Sequence, residues 1–269
     1  MKTKSALSYF GSDSEVAEQL AAMLDHCKHV TIPFVGGASI LPHLKARAIV
    51  ANDLHDLVIN FYRVLSGRTH GRIISEILID RCQHTLSHPS EMDLAREILS
   101  SDSNDDLDRA WAFWALCWIG RKGKGGTKHQ GGMPSVRRTA NGGTNASRIK
   151  AAAADLGDWA KQFERCEWES ICFSELLPKV ADNPECGVYC DAPWVGAGRD
   201  YLHAFTLDDH ARLAGLLERF DEATVVIRYG DHPLIRELYQ SWTIIEAESR
   251  DQCNAVKGEL WITNKKSLC

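Results

Sequence analysis

The residues best suited to chemistry stand together in Val188-Tyr189-Cys190-Asp191-Ala192-Pro193-Trp194. A β-prone apolar run delivers a carboxylate, a small residue, a proline and an indole to its own end. Ligands of open α/β sheets bind at such strand ends. A planar exocyclic amine on an aromatic base needs that set if it is to act as a nucleophile. Its nitrogen lone pair is delocalised into the ring, so two acceptors must hold both N–H groups and draw the nitrogen toward sp³ geometry. The Asp191 carboxylate supplies one acceptor and the Ala192 carbonyl the other. The Trp194 indole offers a face for a base taken out of a duplex, and Pro193 fixes the turn. The plain alternative is a strand end with a proline stop and a ring packed over the core.

A second constellation is Pro33-Phe34-Val35-Gly36-Gly37-Ala38-Ser39, between a strand and the segment after it. Glycines there let the backbone approach a ligand closely, and a following helix would offer free N–H groups. The pair could equally be a tight turn, since it has neither the G-x-G-x-x-G dinucleotide spacing nor a Gly-Lys-Ser/Thr phosphate loop. Asp53 lies 16 residues after Gly37, at the end of the next strand. A carboxylate there can accept hydrogen bonds from two ribose hydroxyls, although Asp53 could also cap a helix beginning at Leu54. Glycine turn and strand-end acid together point to an adenosine-containing cofactor.

The third constellation is electrostatic. Net charge is −5, yet no Asp or Glu occurs from Ile119 to Ala154. Arg121, Lys122, Lys124, Lys128, Arg137, Arg138, Arg148 and Lys150 all fall inside that stretch. A basic segment on an acidic chain points to a polyanion contact more specifically than overall charge does.

The elements that must position these residues follow from periodicity. SEVAEQLAAMLDHCK predicts a helix over residues 14–28, with Ser12, Asp13 or Ser14 as its cap. HVTIPFVGGAS predicts a buried strand and turn, SILPHLKARAIV a short helix disturbed by Pro42, and AIVAND a second strand. A helix follows over LHDLVINFYRVLSG, and residues 70–120 read as helical throughout. There Trp111, Trp114 and Trp118 form an aromatic face best explained as core. The glycine-rich polar run after Gly120 is long for a structureless loop and so marks a functional one. IKAAAADLGDWAKQFERC predicts one helix, and WESICFSELL a strand and short helix. Beyond the catalytic candidate come a helix capped by Thr206, the strand ATVVIRYG, the helix PLIRELYQSW and two paired strands. This is an α/β sheet interrupted after its second strand by a helical and basic insertion.

Composition agrees with a globular chain: 269 residues, 44% hydrophobic and 25% charged. No run has the length and apolarity of a membrane helix, and the first residues lack the apolar core of a signal peptide. Nine cysteines without Cys-x-x-Cys or zinc spacing predict free thiols in a reducing compartment. The expected location is the cytoplasm.

In the order of its motifs the chain resembles the Dam-type N6-adenine DNA methyltransferases over nearly all its length. Tyr9-Phe10-Gly11 is similar to the family's aromatic-x-Gly motif, PFVGGAS to its E-P-F-x-G-G-G/S motif, and NDLHDLVINFYRVL to its N-D-x-N-x-x-L-I-x-x-Y segment. SVRRTANGG resembles part of the target-recognition domain, and VYCDAPW resembles the D-P-P-Y/W motif. Tyr201, Phe205 and His210 match a Y-x-x-x-F and its following His. The resemblance implies a Rossmann-like S-adenosylmethionine-dependent sheet over residues 1–56 and 156–269, with a mainly helical target-recognition domain inserted over 57–155.

It further implies that Tyr9, Phe10, Gly11, Asp13, Pro33, Phe34, Gly36, Gly37, Ser39, Asp53 and Asp191 hold S-adenosylmethionine. Asp191, Ala192, Pro193 and Trp194 would hold a flipped adenine, and Arg121, Lys122, Lys124, Lys128, Arg137 and Arg138 would contact double-stranded DNA. The sulfonium supplies the leaving group, so no metal is expected, and the chain is expected to be a monomer. Four positions depart from the pattern. Asp13 or Ser12 stands for a lysine, Ile32 for the acid before Pro-Phe, Ala38 for the third glycine and Ala192 for the first catalytic proline. A diverged DNA-binding module, or a transferase of the same fold modifying a base differently, are the alternatives. A nicotinamide-dependent oxidoreductase fits neither the glycine spacing nor the Asp-Ala-Pro-Trp motif.

Overall fold

The computed structural model describes residues 5–9, 16–102, 105–120, 144–196, 201–250 and 256–265. These divide between two compact units, one drawn from residues 1–14, 36–42 and 55–168, the other from 15–35, 43–54 and 169–269.

The sheet unit is built on short buried strands. β1 (His29–Ile32), β2 (Ala48–Asn52), β4 (Cys186–Cys190) and β5 (Thr224–Gly230) are parallel neighbours. With β3 (Cys166–Glu169), β6 (Thr243–Arg250) and β7 (Val256–Thr263) the sheet order is β3-β2-β1-β4-β5-β7-β6. β7 is antiparallel to both β5 and β6, so the expected pairing of the last two strands is observed. Parallel strands covered on both faces read as continuous apolar runs, and β5 is buried along all but its last residue. One face packs on α8 (Phe173–Leu176), α9 (Leu207–Leu217) and α10 (Pro233–Leu238), around Val188, Cys190, Val225, Ile227, Leu213 and Ile235. Thr206 caps α9 as expected: its side chain accepts from the Asp209 N–H while Asp209 accepts from the Thr206 N–H.

Two expectations near β1 fail. The first helix, α1, spans only Ala17–Ala22, and its cap Val16 has no side-chain bond to give. Ser12, Asp13 and Ser14 lie outside the described residues. The helix expected after the glycine turn is a single 3₁₀ turn at Leu41–His43. Pro42 has no N–H to continue it, and Ala38 stands at φ 60° just before.

The helical unit contains α2 (Asp56–Ser66), α3 (Arg72–His84), α4 (Pro89–Ser100), α5 (Asp106–Ile119), α6 (Asn145–Ala154) and α7 (Leu156–Phe163). The run expected as one helix near residue 155 is therefore two. The Asp155 and Asp158 N–H groups reach only three residues back, to Ala152 and Asp155, and this tightens the chain into a break. Trp111, Trp114 and Trp118 are buried as expected. Trp111 donates to Thr85 Oγ1 (2.8 Å) and Trp118 to the Ala6 carbonyl (3.1 Å), so both indoles anchor core contacts.

Candidate active site

Because β2, β1, β4 and β5 are parallel neighbours, their C-terminal ends come to one edge of the sheet. From that edge leave Pro33-Phe34, Asp53 and Asp191-Ala192-Pro193-Trp194. The sequence-predicted residues of the sheet unit therefore share one edge.

The first two exits are held by Asn52, which is 1% exposed. Its side-chain amide donates to the carbonyls of Pro33 (2.9 Å) and Ile171 (3.0 Å) and accepts from the Ile171 N–H (3.0 Å). Its own carbonyl accepts from the Val35 N–H at 2.8 Å. One buried amide thus ties β1's exit to the loop after β3, and an unsatisfied replacement there would cost about 1–3 kcal/mol. Asp53 follows directly and donates its N–H to the Glu169 carbonyl. The reading of Asp53 as a helix cap is overturned. Helix α2 starts at Asp56 with His55 as its extended N-cap residue, two positions further on.

At the third exit the register continues one step. Cys190 pairs with Ile227, so Asp191 comes beside Arg228. Arg228 Nη1 donates to Asp191 Oδ2 at 3.1 Å. The same guanidinium donates through Nε and Nη2 to both oxygens of Glu259, at 2.9 and 2.8 Å. Glu259 also accepts from Trp261 Nε1 at 2.7 Å, and its side chain is fully buried. Burial works against the Arg228 charge, but the Asp191 and Glu259 carboxylates outweigh it and hold its pKa above the ordinary arginine value. The guanidinium lies 5.1 Å from the centre of the Trp194 ring. That ring rests on Gly230, where an added Cβ would come within 2.5 Å of it.

The opposite face of the same strand ends is aromatic. Phe34, Phe173 and Phe205 lie 5.6–5.7 Å apart by ring centres. Phe205 meets His210 at 4.8 Å, and His210 Nδ1 shares a hydrogen bond with the Tyr229 hydroxyl at 2.9 Å. Burial pushes the His210 pKa down to about 4, with Asp209 opposing and His232 adding to the shift. Burial likewise raises the Cys190 thiol and the Tyr229 phenol. Both stay protonated at neutral pH, so neither competes as an anionic nucleophile.

The glycine turn belongs to the helical unit. Gly36 has φ 46°, and an added Cβ would stand 3.2 Å from the Tyr9 ring. At Gly37 an added Cβ would meet Tyr9 Cβ at 3.3 Å and the Leu7 carbonyl at 3.5 Å. The Gly36 carbonyl accepts from the Tyr62 hydroxyl at 2.6 Å. Tyr9 and the turn therefore come together, and Ser39 is buried beyond them. Ala38 adopts the left-handed φ that favours glycine, the third residue of the resembled motif.

Phe10, Gly11 and Asp13, and the cations Arg121, Lys122, Lys124, Lys128, Arg137 and Arg138, lie outside the described residues. Arg228, Glu259 and Asn52, which bond to or brace the candidate residues, were not singled out as such in the sequence. The available signal was a charge inside each of two apolar strands, VVIRYG and GELWIT, since buried charges require partners.

The family model for D12 class N6 adenine-specific DNA methyltransferases matches residues 9–252. The chain is also similar to a DNA N-6-adenine-methyltransferase of Escherichia phage P1, at 25% identity over 257 residues. That alignment covers 88% of this chain and 31% of the phage protein, so the chain spans about a third of that relative's length.

Proposed function

As a member of the D12 class of N6 adenine-specific DNA methyltransferases, the chain is one in which, we propose, a methyl group passes from S-adenosylmethionine to N6 of an adenine held out of double-stranded DNA. The observation that carries this is Asp191-Ala192-Pro193-Trp194 at the end of β4, its carboxylate fixed by a buried guanidinium.

In this reading the Asp191 carboxylate and the Ala192 carbonyl accept hydrogen bonds from the two N6–H groups, localising the nitrogen lone pair for attack. As the methyl–sulfur bond breaks, one N6 proton is lost to solvent and neutral N6-methyladenine remains. Trp194 stacks on the base and replaces its neighbours in the duplex. Acceptors fixed before the substrate arrives need no reorganisation during reaction, which is the main contribution a site without covalent chemistry can make. S-adenosylmethionine, when bound, supplies an electrophilic methyl group whose sulfur departs neutral, so the reaction requires no metal.

The residues present suit that cofactor. Asp53 is a strand-end carboxylate for a ribose diol, beside a β1 exit pinned by Asn52. Phe34 is a partly buried ring suited to an adenine face. Pro33, Phe34, Asp53 and Asp191 are the proposed cofactor residues of the sheet unit. Tyr9, Phe10, Gly11, Asp13, Gly36, Gly37 and Ser39 are a second proposed group, carried by the sequence resemblance. Residues 57–155 are proposed to recognise DNA, with Arg121, Lys122, Lys124, Lys128, Arg137 and Arg138 on phosphates and base edges.

One observation favours a second reading. Position 32, an acid in the resembled motif, is a fully buried isoleucine, which suits a DNA-binding module with weak cofactor use. Calorimetry with S-adenosylmethionine separates the two, because binding at micromolar cofactor supports the transferase and none at millimolar supports the module. The transferase is tested by nucleoside mass spectrometry of unmethylated DNA treated with protein and cofactor. N6-methyladenine is expected, and its absence with cofactor normally bound would overturn the reading.

A further inference from the structure

Arg228 is a cation in the middle of a buried strand, and no motif accounts for it. Its register explains what it meets. Beside it on β4's path is Asp191, and opposite it on β7 is Trp261, with Glu259 two residues away on the same face. Its Nε and Nη2 are taken by the two Glu259 oxygens, which fixes the plane of the guanidinium. The Trp261 indole N–H fixes Glu259 in turn. The remaining nitrogen, Nη1, then points at Asp191 Oδ2, and the Trp194 ring lies 5.1 Å away. Gly230, two residues along β5, has no side chain and leaves the space that ring occupies.

We infer that Arg228 is the positioning residue of the adenine pocket: locked by Glu259, one guanidinium sets both the Asp191 carboxylate and the Trp194 ring. This rests on the adenine reading above. Stability alone is a poor reason for the arrangement. Volume-matched apolar residues commonly hold a fold as well as a buried ion pair does, and β5 and β7 are otherwise an ordinary antiparallel ladder. A planar fork does what an apolar residue or a lysine does not, because it fixes an orientation as well as a charge. Supporting residues of this kind set whether an acceptor is held within a fraction of an ångström.

The test compares the full chain with Arg228→Lys and with the double variant Arg228→Met/Glu259→Met, which removes the fully buried Glu259 charge together with its cation and leaves only the partly exposed Asp191 without Arg228. Each is measured for melting temperature, S-adenosylmethionine binding by calorimetry, and kcat and KM for N6-methyladenine formation on unmethylated double-stranded DNA. The double variant is expected to melt nearer to wild type than Arg228→Met does, because the fully buried Glu259 charge is gone as well, and to bind cofactor within about threefold. Its kcat should fall by roughly a hundredfold, with KM for DNA within about threefold. Arg228→Lys should lose about tenfold in kcat, because it keeps the charge and loses the fork. Wild-type kcat in the double variant would overturn the inference. If the double variant does not fold, wild-type kcat in Arg228→Lys does the same. A wild-type chain that makes no N6-methyladenine overturns the adenine reading instead, and so the two failures are distinguishable.

Discussion

At the ends of β4 and β5 the two faces of one sheet are built from different physics, one residue out of step. Asp191 and Arg228 face the side of Glu259 and Trp261, and their contacts are charged, directional and 2.7–3.1 Å long. Ala192 and Tyr229 face the side of Phe34, Phe173, Phe205 and His210, where ring centres stand 4.8–5.7 Å apart. The first face specifies an orientation, since a guanidinium either meets its carboxylates or leaves them buried and unpaired. The second supplies area and excludes water, and it accepts changes that conserve volume. A pocket that must aim two acceptors at one nitrogen needs the first kind of face, backed by the second.

The largest effect is expected from breaking the ionic face on one side only. Arg228→Met strands Asp191 and a fully buried Glu259, and should cost about 3–5 kcal/mol in chemical denaturation. Tyr229→Phe, on the other face, loses one hydrogen bond to His210 and should cost about 1 kcal/mol. Equal costs would erase the distinction between the faces. Gly230→Ala comes next. Its methyl would stand 2.5 Å from the Trp194 ring, so the ring must shift, at about 1–3 kcal/mol. Methyl transfer should fall more than stability does, and unchanged transfer would mean that Trp194 does not hold the base.

The last effect is the pH response of the aromatic face. His210 is 1% exposed, and its pKa is held near 4 against an ordinary value near 6.5. The folded state therefore disfavours its proton. The associated stability is fully present above about pH 6.5 and is lost as pH falls toward about 4. Melting temperature should drop over that window in wild type and drop less in His210→Gln. Parallel curves for the two proteins would place the acid sensitivity elsewhere.

The order of elements was legible because its strands are short buried runs punctuated by glycine and proline. Asp191 to Trp194 stood out in the sequence because a local motif carries its own chemistry, and its expected position at a strand end is observed after β4. What the sequence concealed is non-local. Arg228 and Glu259 lie 31 residues apart, and Asn52 reaches Ile171 across 119. Neither pairing leaves a periodic trace. The 14–28 helix was overextended because apolar spacing continues past Ala22, where the chain turns through Ala21, Ala22 and Leu24 carbonyls instead. The helix expected after Gly37 fails for a backbone reason, the left-handed Ala38, which side-chain periodicity does not report.

The central claim is that Asp191 presents an acceptor to adenine N6. The direct measurement is nucleoside analysis of unmethylated DNA treated with wild type and with Asp191→Ala, each with S-adenosylmethionine and each checked for folding. Wild type is predicted to make N6-methyladenine, and the variant to make at least about a hundredfold less per folded molecule. N6-methyladenine at wild-type rate from Asp191→Ala would contradict the account.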